Sequence, residues 1–148
     1  MNAKPIAQPD VTNKLVSHWE QVCNKIESLA DAFPAQKYDL RPAENVRSVG
    51  DVLRHVAFWN QYVADRARGK KADDSTNELP KTKYSSKADV MAALKRSADD
   101  ATKALRTSLP DSEIAEMVLS FVEHNCEHYG QLAVYARLNG IVPPASRG

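Results

Sequence analysis

Apolar residues recur at spacings of three and four along four stretches of this chain, and that spacing is typical of amphipathic helices. The stretches cover residues 11–33, 48–69, 86–109 and 112–139. Prolines, glycines and polar connections separate them, and no segment shows the alternation that predicts a strand. The sequence therefore predicts an all-α protein, a four-helix bundle whose two long connections allow a crossover between helices.

The size and composition of the chain fit one ordinary globular domain. At 148 residues, the predicted organisation is a flexible leader over residues 1–10 and a single domain over residues 11–148. A net charge of +1 provides no field for binding nucleic acid, and no apolar run approaches the ~20 residues needed to cross a membrane. Cys23 and Cys126 form no C-x-x-C motif, which predicts buried thiols in a reducing cytoplasm; the alternative is a disulfide bridge between them.

Two of the helix starts carry the signature of a capping box. Ser48 precedes Asp51 by three residues, and Ser86 precedes Asp89 by the same spacing, so each pair can satisfy two free backbone N–H groups. Residues 70–85, which connect these helices, are polar and show no core pattern. A structureless connection of that length is unusual in a compact domain, and it predicts either a functional lid or a mobile segment.

His124 and His128 lie within the apolar stripe of the last predicted helix. Residues four apart stand one turn above each other, so both imidazoles point to the same side. Their polar nitrogens need partners in an apolar environment. A divalent metal ion is one such partner, because an i,i+4 histidine pair can chelate a single ion. The alternative is a pair of ordinary core or surface histidines.

His55 is the third candidate metal ligand. It lies in the apolar stripe of the second predicted helix, between Val52 and Trp59, and helix bundles commonly build metal sites from inward side chains. Three imidazoles would leave a coordination position open, which is typical of a catalytic zinc site rather than a structural one. The alternative is that the three histidines are metal-free polar residues of the core.

Other residues near the three histidines are candidates for the second layer of the site. Asp51 lies one turn before His55 and Glu127 lies beside His124, so either carboxylate can accept from a ligand imidazole, and Glu127 can act as a catalytic base. For both, the alternative is a solvated surface charge. The residues predicted to line the pocket are Trp59, Gln131, Tyr135 and His18. Their alternatives are core packing or, for His18, a boundary position.

Two stretches around these histidines resemble the DinB/YfiT-like superfamily of metalloenzymes. In that family a first histidine follows a Ser-Val-Gly helix start, and an H-x-x-x-H pair occurs late in the last helix. The matching stretches here are RSVGDVLRHVA at residues 47–57 and HNCEHYGQL at residues 124–132. The closing LNGIVPP at residues 138–144 is also similar to the tail of the family.

The resemblance implies a four-helix bundle with a divalent metal, zinc or nickel, on His55, His124 and His128, and it implies frequent homodimers. Characterised relatives include thiol-dependent S-transferases and isomerases that use low-molecular-weight thiols. The predicted function is a cytoplasmic metal-dependent transferase acting on such a thiol and a small electrophile. The alternatives are a non-catalytic metal-binding or stress-response bundle and a metal-dependent hydrolase that activates water.

Overall fold

The computed structural model describes residues 11–148, and these residues form four α-helices without strands. The helices are α1 (Val11–Ala32), α2 (Val49–Ala67), α3 (Lys87–Ser108) and α4 (Ser112–Leu138). Short 3-10 turns follow at Ala35–Lys37 and Pro144–Ser146. The predicted all-α four-helix bundle is confirmed, whereas the predicted leader over residues 1–10 lies outside the described part of the chain. Within residues 11–148, no helix combines the length and apolarity that a membrane span requires.

The four helices form a bundle in which each of the first two contacts both of the last two. α1 packs mainly against α3 and α4, and α2 packs mainly against the same two helices. α1 and α2 therefore occupy opposite corners, so the connection between them crosses one end of the bundle diagonally. This arrangement makes α2 and α4 neighbours, which allows a histidine of one helix to meet histidines of the other.

The core consists of two clusters of buried apolar side chains that lie along the bundle. One cluster includes Ile26, Leu29, Phe33, Val52, Leu53 and Leu132. The other includes Trp19, Val63, Leu105 and Val118. Full burial of one large apolar side chain contributes about 1.5–3 kcal/mol, so these two clusters supply most of the force that holds the helices together.

The ends of the helices follow the local signals of the sequence. Both predicted capping boxes are present, Ser48 with Asp51 at the start of α2 and Ser86 with Asp89 at the start of α3. After α2, Gly69 has a φ of +70°, a conformation that glycine adopts without the steric penalty of a side chain. The Ser48 cap fixes where α2 begins and therefore which side of that helix carries His55.

The connection over residues 70–85 lies against α2. The backbone N–H of Leu79 donates to the carbonyl of Arg54 at 3.3 Å. The Arg54 guanidinium donates in turn to the carbonyl of Tyr84 at 3.2 Å. These bonds place the segment beside the turn of α2 that carries His55. Opening of this segment as a lid stays a prediction.

The two cysteines differ in their surroundings. Both are free thiols, and Cys23 is buried as predicted, whereas Cys126 is exposed. The prediction of a buried thiol was therefore wrong for Cys126. Two residues along a helix correspond to a rotation of about 200°, so Cys126 faces away from the side of α4 on which His124 lies.

Candidate metal site

Three histidines from two neighbouring helices meet inside the bundle. His55 comes from α2, and His124 and His128 come from successive turns of α4. One ring nitrogen of each histidine lies within 4.8 Å of the other two. His55 is buried, while the two histidines of α4 are half-buried. The structure thus brings together all three predicted metal ligands.

The Nδ1 atom of each imidazole lies at hydrogen-bond distance from a neutral oxygen. The pairs are His55 with the backbone carbonyl of Asn77 (2.6 Å), His124 with Oδ1 of Asn125 (3.1 Å) and His128 with Oε1 of Gln131 (2.9 Å). The amide groups of Asn125 and Gln131 donate through their nitrogens to other partners, which leaves their oxygens as acceptors. An oxygen acceptor calls for an N–H at Nδ1, and Nε2 is then the nitrogen with the free lone pair.

This pattern creates a conflict that a cation resolves. The Nε2 atoms of His55 and His124 are 2.9 Å apart. A neutral imidazole has a single N–H, so two rings that both donate through Nδ1 direct two lone pairs at each other. If one ring donates through Nε2 instead, its Nδ1 lone pair faces an oxygen. Three imidazoles with their outer N–H groups engaged are a suitable donor set for a divalent ion, and the cluster is therefore compatible with metal binding.

The surroundings of His55 and His124 disfavour the charged form of both imidazoles. Burial lowers the pKa of His55 to about 4; the hydrogen bond with Asn77 opposes this shift, and the positive charge of Arg47 adds to it. Burial also lowers the pKa of His124, and the neighbouring His128 acts in the same direction. Both rings are therefore neutral at neutral pH, which is the form that binds a metal ion.

The depressed pKa of His55 predicts a pH-dependent stability for the metal-free protein. An unfolded imidazole takes up a proton near its ordinary pKa, whereas His55 in the folded chain does so only near pH 4. The unfolded state thus binds more protons between these values, so acid favours unfolding. We expect chelator-treated protein to lose about 2 kcal/mol of unfolding free energy between about pH 7.5 and about pH 5, as measured by urea titration. His55→Gln is the matched variant, and an equal loss in both proteins would contradict this origin.

Gln131 and Tyr135 link His128 to the loop that precedes α2. The Gln131 side chain accepts from His128 through its oxygen and donates through its nitrogen to the Tyr135 hydroxyl at 2.9 Å. That hydroxyl donates to the backbone carbonyl of Arg47 at 3.0 Å. Because each group in this series of hydrogen bonds has a fixed partner, the His128 ring is held in one orientation. The structure thus places these two predicted site residues beside the histidines.

Aromatic rings form one wall of the site. The predicted pocket residue Trp59 stacks on Phe121 at 5.7 Å between ring centroids and lies edge-on to His55 at 6.5 Å. Phe121 also contacts His124 edge-on, at 5.7 Å. The indole N–H of Trp59 donates to the side-chain oxygen of Asn77 at 2.9 Å. The wall is therefore apolar toward the histidines and is tied at its edge to the segment over residues 70–85.

Asp51 does not serve as the predicted acceptor for His55. The backbone carbonyl of Asn77 takes that position, whereas the Asp51 carboxylate accepts from the Ser48 backbone N–H and from the guanidinium groups of Arg41 and Arg54. The capping box requires this carboxylate to turn back toward the start of α2. Its hydrogen bonds from Ser48 and Arg54 also outweigh its partial burial and lower its pKa. Asp51 therefore stabilises the helix that carries His55 without touching the imidazole.

The other two predicted residues form no hydrogen bond with the three rings in the part of the chain that the structure describes. Glu127 is exposed on α4, and no hydrogen bond joins it to an imidazole within residues 11–148. His18 is exposed on α1, where it lines a surface groove together with Cys126 and Tyr129. The structure therefore gives Glu127 no contact that would support a catalytic base, and it places His18 outside the site.

Four residues of the site were not predicted from the sequence: Asn77, Asn125, Arg47 and Phe121. Asn125 is fully buried in α4 next to His124, and a polar residue in the middle of an apolar stripe was a signal that could have identified it. Asn77 contributes a backbone carbonyl, which leaves no trace in the residue type. Only the unusual length of its connection indicated that this segment has a role.

Comparison with known proteins agrees with this geometry. The family model of the DinB superfamily matches residues 18–132. The matched part covers well over half of the chain and includes all three histidines, the helix turns that carry them and the connection with Asn77. A search of curated proteins found no match.

Proposed function

This chain belongs to the DinB superfamily, and we propose that it is a metal-dependent transferase in which His55, His124 and His128 hold zinc or nickel. The observation that supports this proposal is the convergence of three imidazoles whose Nδ1 atoms all face oxygens. A divalent ion bound there would supply an open coordination position at which a thiol loses its proton and becomes a nucleophile.

The neutral character of the surrounding acceptors favours an anionic ligand. Each imidazole faces a carbonyl or amide oxygen, and within residues 11–148 no carboxylate forms a hydrogen bond with any of the three rings. The charge of a divalent ion would therefore not be compensated by the protein, so an anion is the preferred additional ligand. Thiolate sulfur is a soft anionic ligand that zinc accepts readily. Hydroxide from water is also an anion, so the preference for a thiol over water as the co-substrate rests on the softness of sulfur as a ligand.

The residues of the chain would orient the reactants. Asn77, Asn125 and Gln131 fix the imidazoles, and the wall formed by Trp59 and Phe121 keeps water from one side of the nucleophile. An apolar electrophile can pack on this wall. In the transfer, a carbon–sulfur bond forms, the leaving group departs with its electron pair and the thiol proton passes to solvent.

The proposed activity can be tested with metal-loaded protein. We expect turnover of an electrophilic acceptor with at least one of bacillithiol, mycothiol, glutathione and coenzyme A, and loss of that turnover after chelation. The measurement is product formation by mass spectrometry, with the spontaneous reaction of each thiol subtracted. The absence of turnover with all four thiols would overturn the transferase proposal.

The outcomes also distinguish the alternative functions. Bound metal without thiol turnover, together with metal-dependent cleavage of an ester or amide, would favour the hydrolase. Bound metal without any turnover would favour a non-catalytic bundle. The homodimer and the cytoplasmic location stay predictions. Sedimentation equilibrium tests the first. Val134 and Leu138, which are one turn apart on α4, provide two exposed apolar side chains for such a contact.

A further inference from the structure

Arg47 is anchored beside the histidine cluster through its backbone. Its carbonyl accepts from the Tyr135 hydroxyl at 3.0 Å. The same hydroxyl accepts from Gln131, whose side-chain oxygen faces His128. The backbone of Arg47 is therefore held at a fixed position relative to His128. The guanidinium can move only as far as the rotamers of its own side chain allow.

Glu78 approaches Arg47 from the segment over residues 70–85. Its Oε2 atom lies 3.9 Å from Nε of Arg47. The preceding residue, Asn77, has its carbonyl 2.6 Å from Nδ1 of His55. The ion pair thus joins the segment that contacts His55 to the segment that is connected to His128 through Tyr135 and Gln131.

This ion pair leaves hydrogen-bonding capacity unused on both sides. A separation of 3.9 Å is too long for a hydrogen bond, and Oε2 of Glu78 is buried without a hydrogen-bond partner. Within residues 11–148 the Arg47 guanidinium donates no hydrogen bond, although its side chain is only 36% exposed. Other arginines differ in this respect, since a carboxylate accepts from each of Arg41, Arg54, Arg68 and Arg106.

The side chain of Arg47 lies beside the segment that supplies the acceptor for His55. Its Nε atom is 3.9 Å from Oε2 of Glu78, the residue that follows Asn77, and the Asn77 carbonyl lies 2.6 Å from Nδ1 of His55. A guanidinium at this position can attract an anion that is located beside the imidazoles. The planar guanidinium matches a carboxylate in shape and can donate two parallel hydrogen bonds to it.

We propose that Arg47 is a specificity residue that binds a carboxylate group of the thiol substrate, so that the substrate class is a small thiol carrying a carboxylate. This inference rests on the proposed function, because it assigns a partner to the part of the thiol that does not bind the metal. Glu78 competes with the substrate carboxylate for the same guanidinium. Removal of the Glu78 charge should therefore strengthen the preference for a thiol with a carboxylate. Removal of the Arg47 charge should abolish the same preference.

The test uses protein loaded with cobalt(II) and three thiols of similar size. 3-Mercaptopropionate carries a carboxylate, 2-mercaptoethanol a hydroxyl and cysteamine an ammonium group, and sulfur-to-cobalt charge-transfer absorption reports binding of each. We expect the natural protein to bind 3-mercaptopropionate about tenfold more tightly than 2-mercaptoethanol, and to bind cysteamine most weakly. Arg47→Gln should erase this preference without changing the affinity for 2-mercaptoethanol, whereas Glu78→Gln should increase the preference.

Arg96→Gln is the matched control, because Arg96 is an exposed arginine on α3, at the corner of the bundle opposite α4. It removes the same charge and should leave the preference unchanged. If no thiol gives charge-transfer absorption, the proposed function itself fails. If thiols bind but the natural protein shows no preference for the carboxylate, or if Arg47→Gln retains it, this inference fails while the proposed function stands. If Arg47→Gln does not fold, Glu78→Gln decides the question, because an unchanged preference in that variant would also contradict the inference.

Discussion

Replacing His55 with alanine is expected to reduce the bound zinc from near one ion per chain to below about a tenth of an ion. The imidazole of His55 is the only ligand that α2 contributes, and the two remaining histidines of α4 form an ordinary i,i+4 pair with weak affinity. His124→Ala and His128→Ala should have the same effect, because each also leaves two ligands. The measurement is elemental analysis of protein dialysed against metal-free buffer.

The matched control for this loss is His18→Ala. His18 is exposed on α1 and lies outside the cluster, so its removal should leave the metal content unchanged. Gln131→Leu should have an intermediate effect, a reduction of the affinity for the metal by about ten- to a hundredfold. This substitution removes the oxygen that orients His128 but keeps all three ligands. Unchanged metal content in His55→Ala would show that the three histidines are metal-free core residues.

Removing the metal is expected to destabilise the fold by about 4 kcal/mol when the reference sample contains free metal at about a thousand times its Kd. The ion would connect α2 with α4, and it would also relieve the conflict between the facing Nε2 atoms of His55 and His124. For a chain of this length, the loss corresponds to a fall in Tm of roughly 10 °C. Thermal unfolding followed by circular dichroism, with and without chelator, measures it.

The same melting experiment contains its own control. His55→Ala should melt at the same temperature with and without chelator, since it no longer binds the ion. A Tm of the natural protein that does not respond to chelator would show that the cluster contributes nothing to folding through a metal. A chelator effect of equal size in His55→Ala would place the responsible ion elsewhere on the chain.

The helices and the three histidines were predictable because their signals are periodic and local. The spacing of apolar residues set the rotation of α2 and α4, and it placed His55, His124 and His128 on the inward sides of those helices. The capping serine Ser48 set where α2 starts. Once two neighbouring helices are correctly rotated, the convergence of their inward histidines follows from the packing of the bundle.

The layer around the histidines was only partly predictable, because it depends on contacts between distant segments. Helical spacing pointed to Asp51 as a partner of His55, but the carboxylate is needed at the helix start. Helical spacing also placed Glu127 next to His124 when α4 is viewed along its axis. In the structure, however, the side of α4 that carries Glu127 faces solvent. Periodicity gives the direction of a side chain relative to its own helix, and it does not show where a separate loop is placed.

The acceptor for His55 belongs to the main chain at residue 77 and not to a side chain. Over evolutionary time, substitutions at this position could accumulate without disturbing the imidazole, although they would free the indole of Trp59. An insertion or deletion between α2 and α3 would instead displace the carbonyl and rotate the ligand. The length of the connection between α2 and α3 should therefore be under stronger selection than the residue types within it.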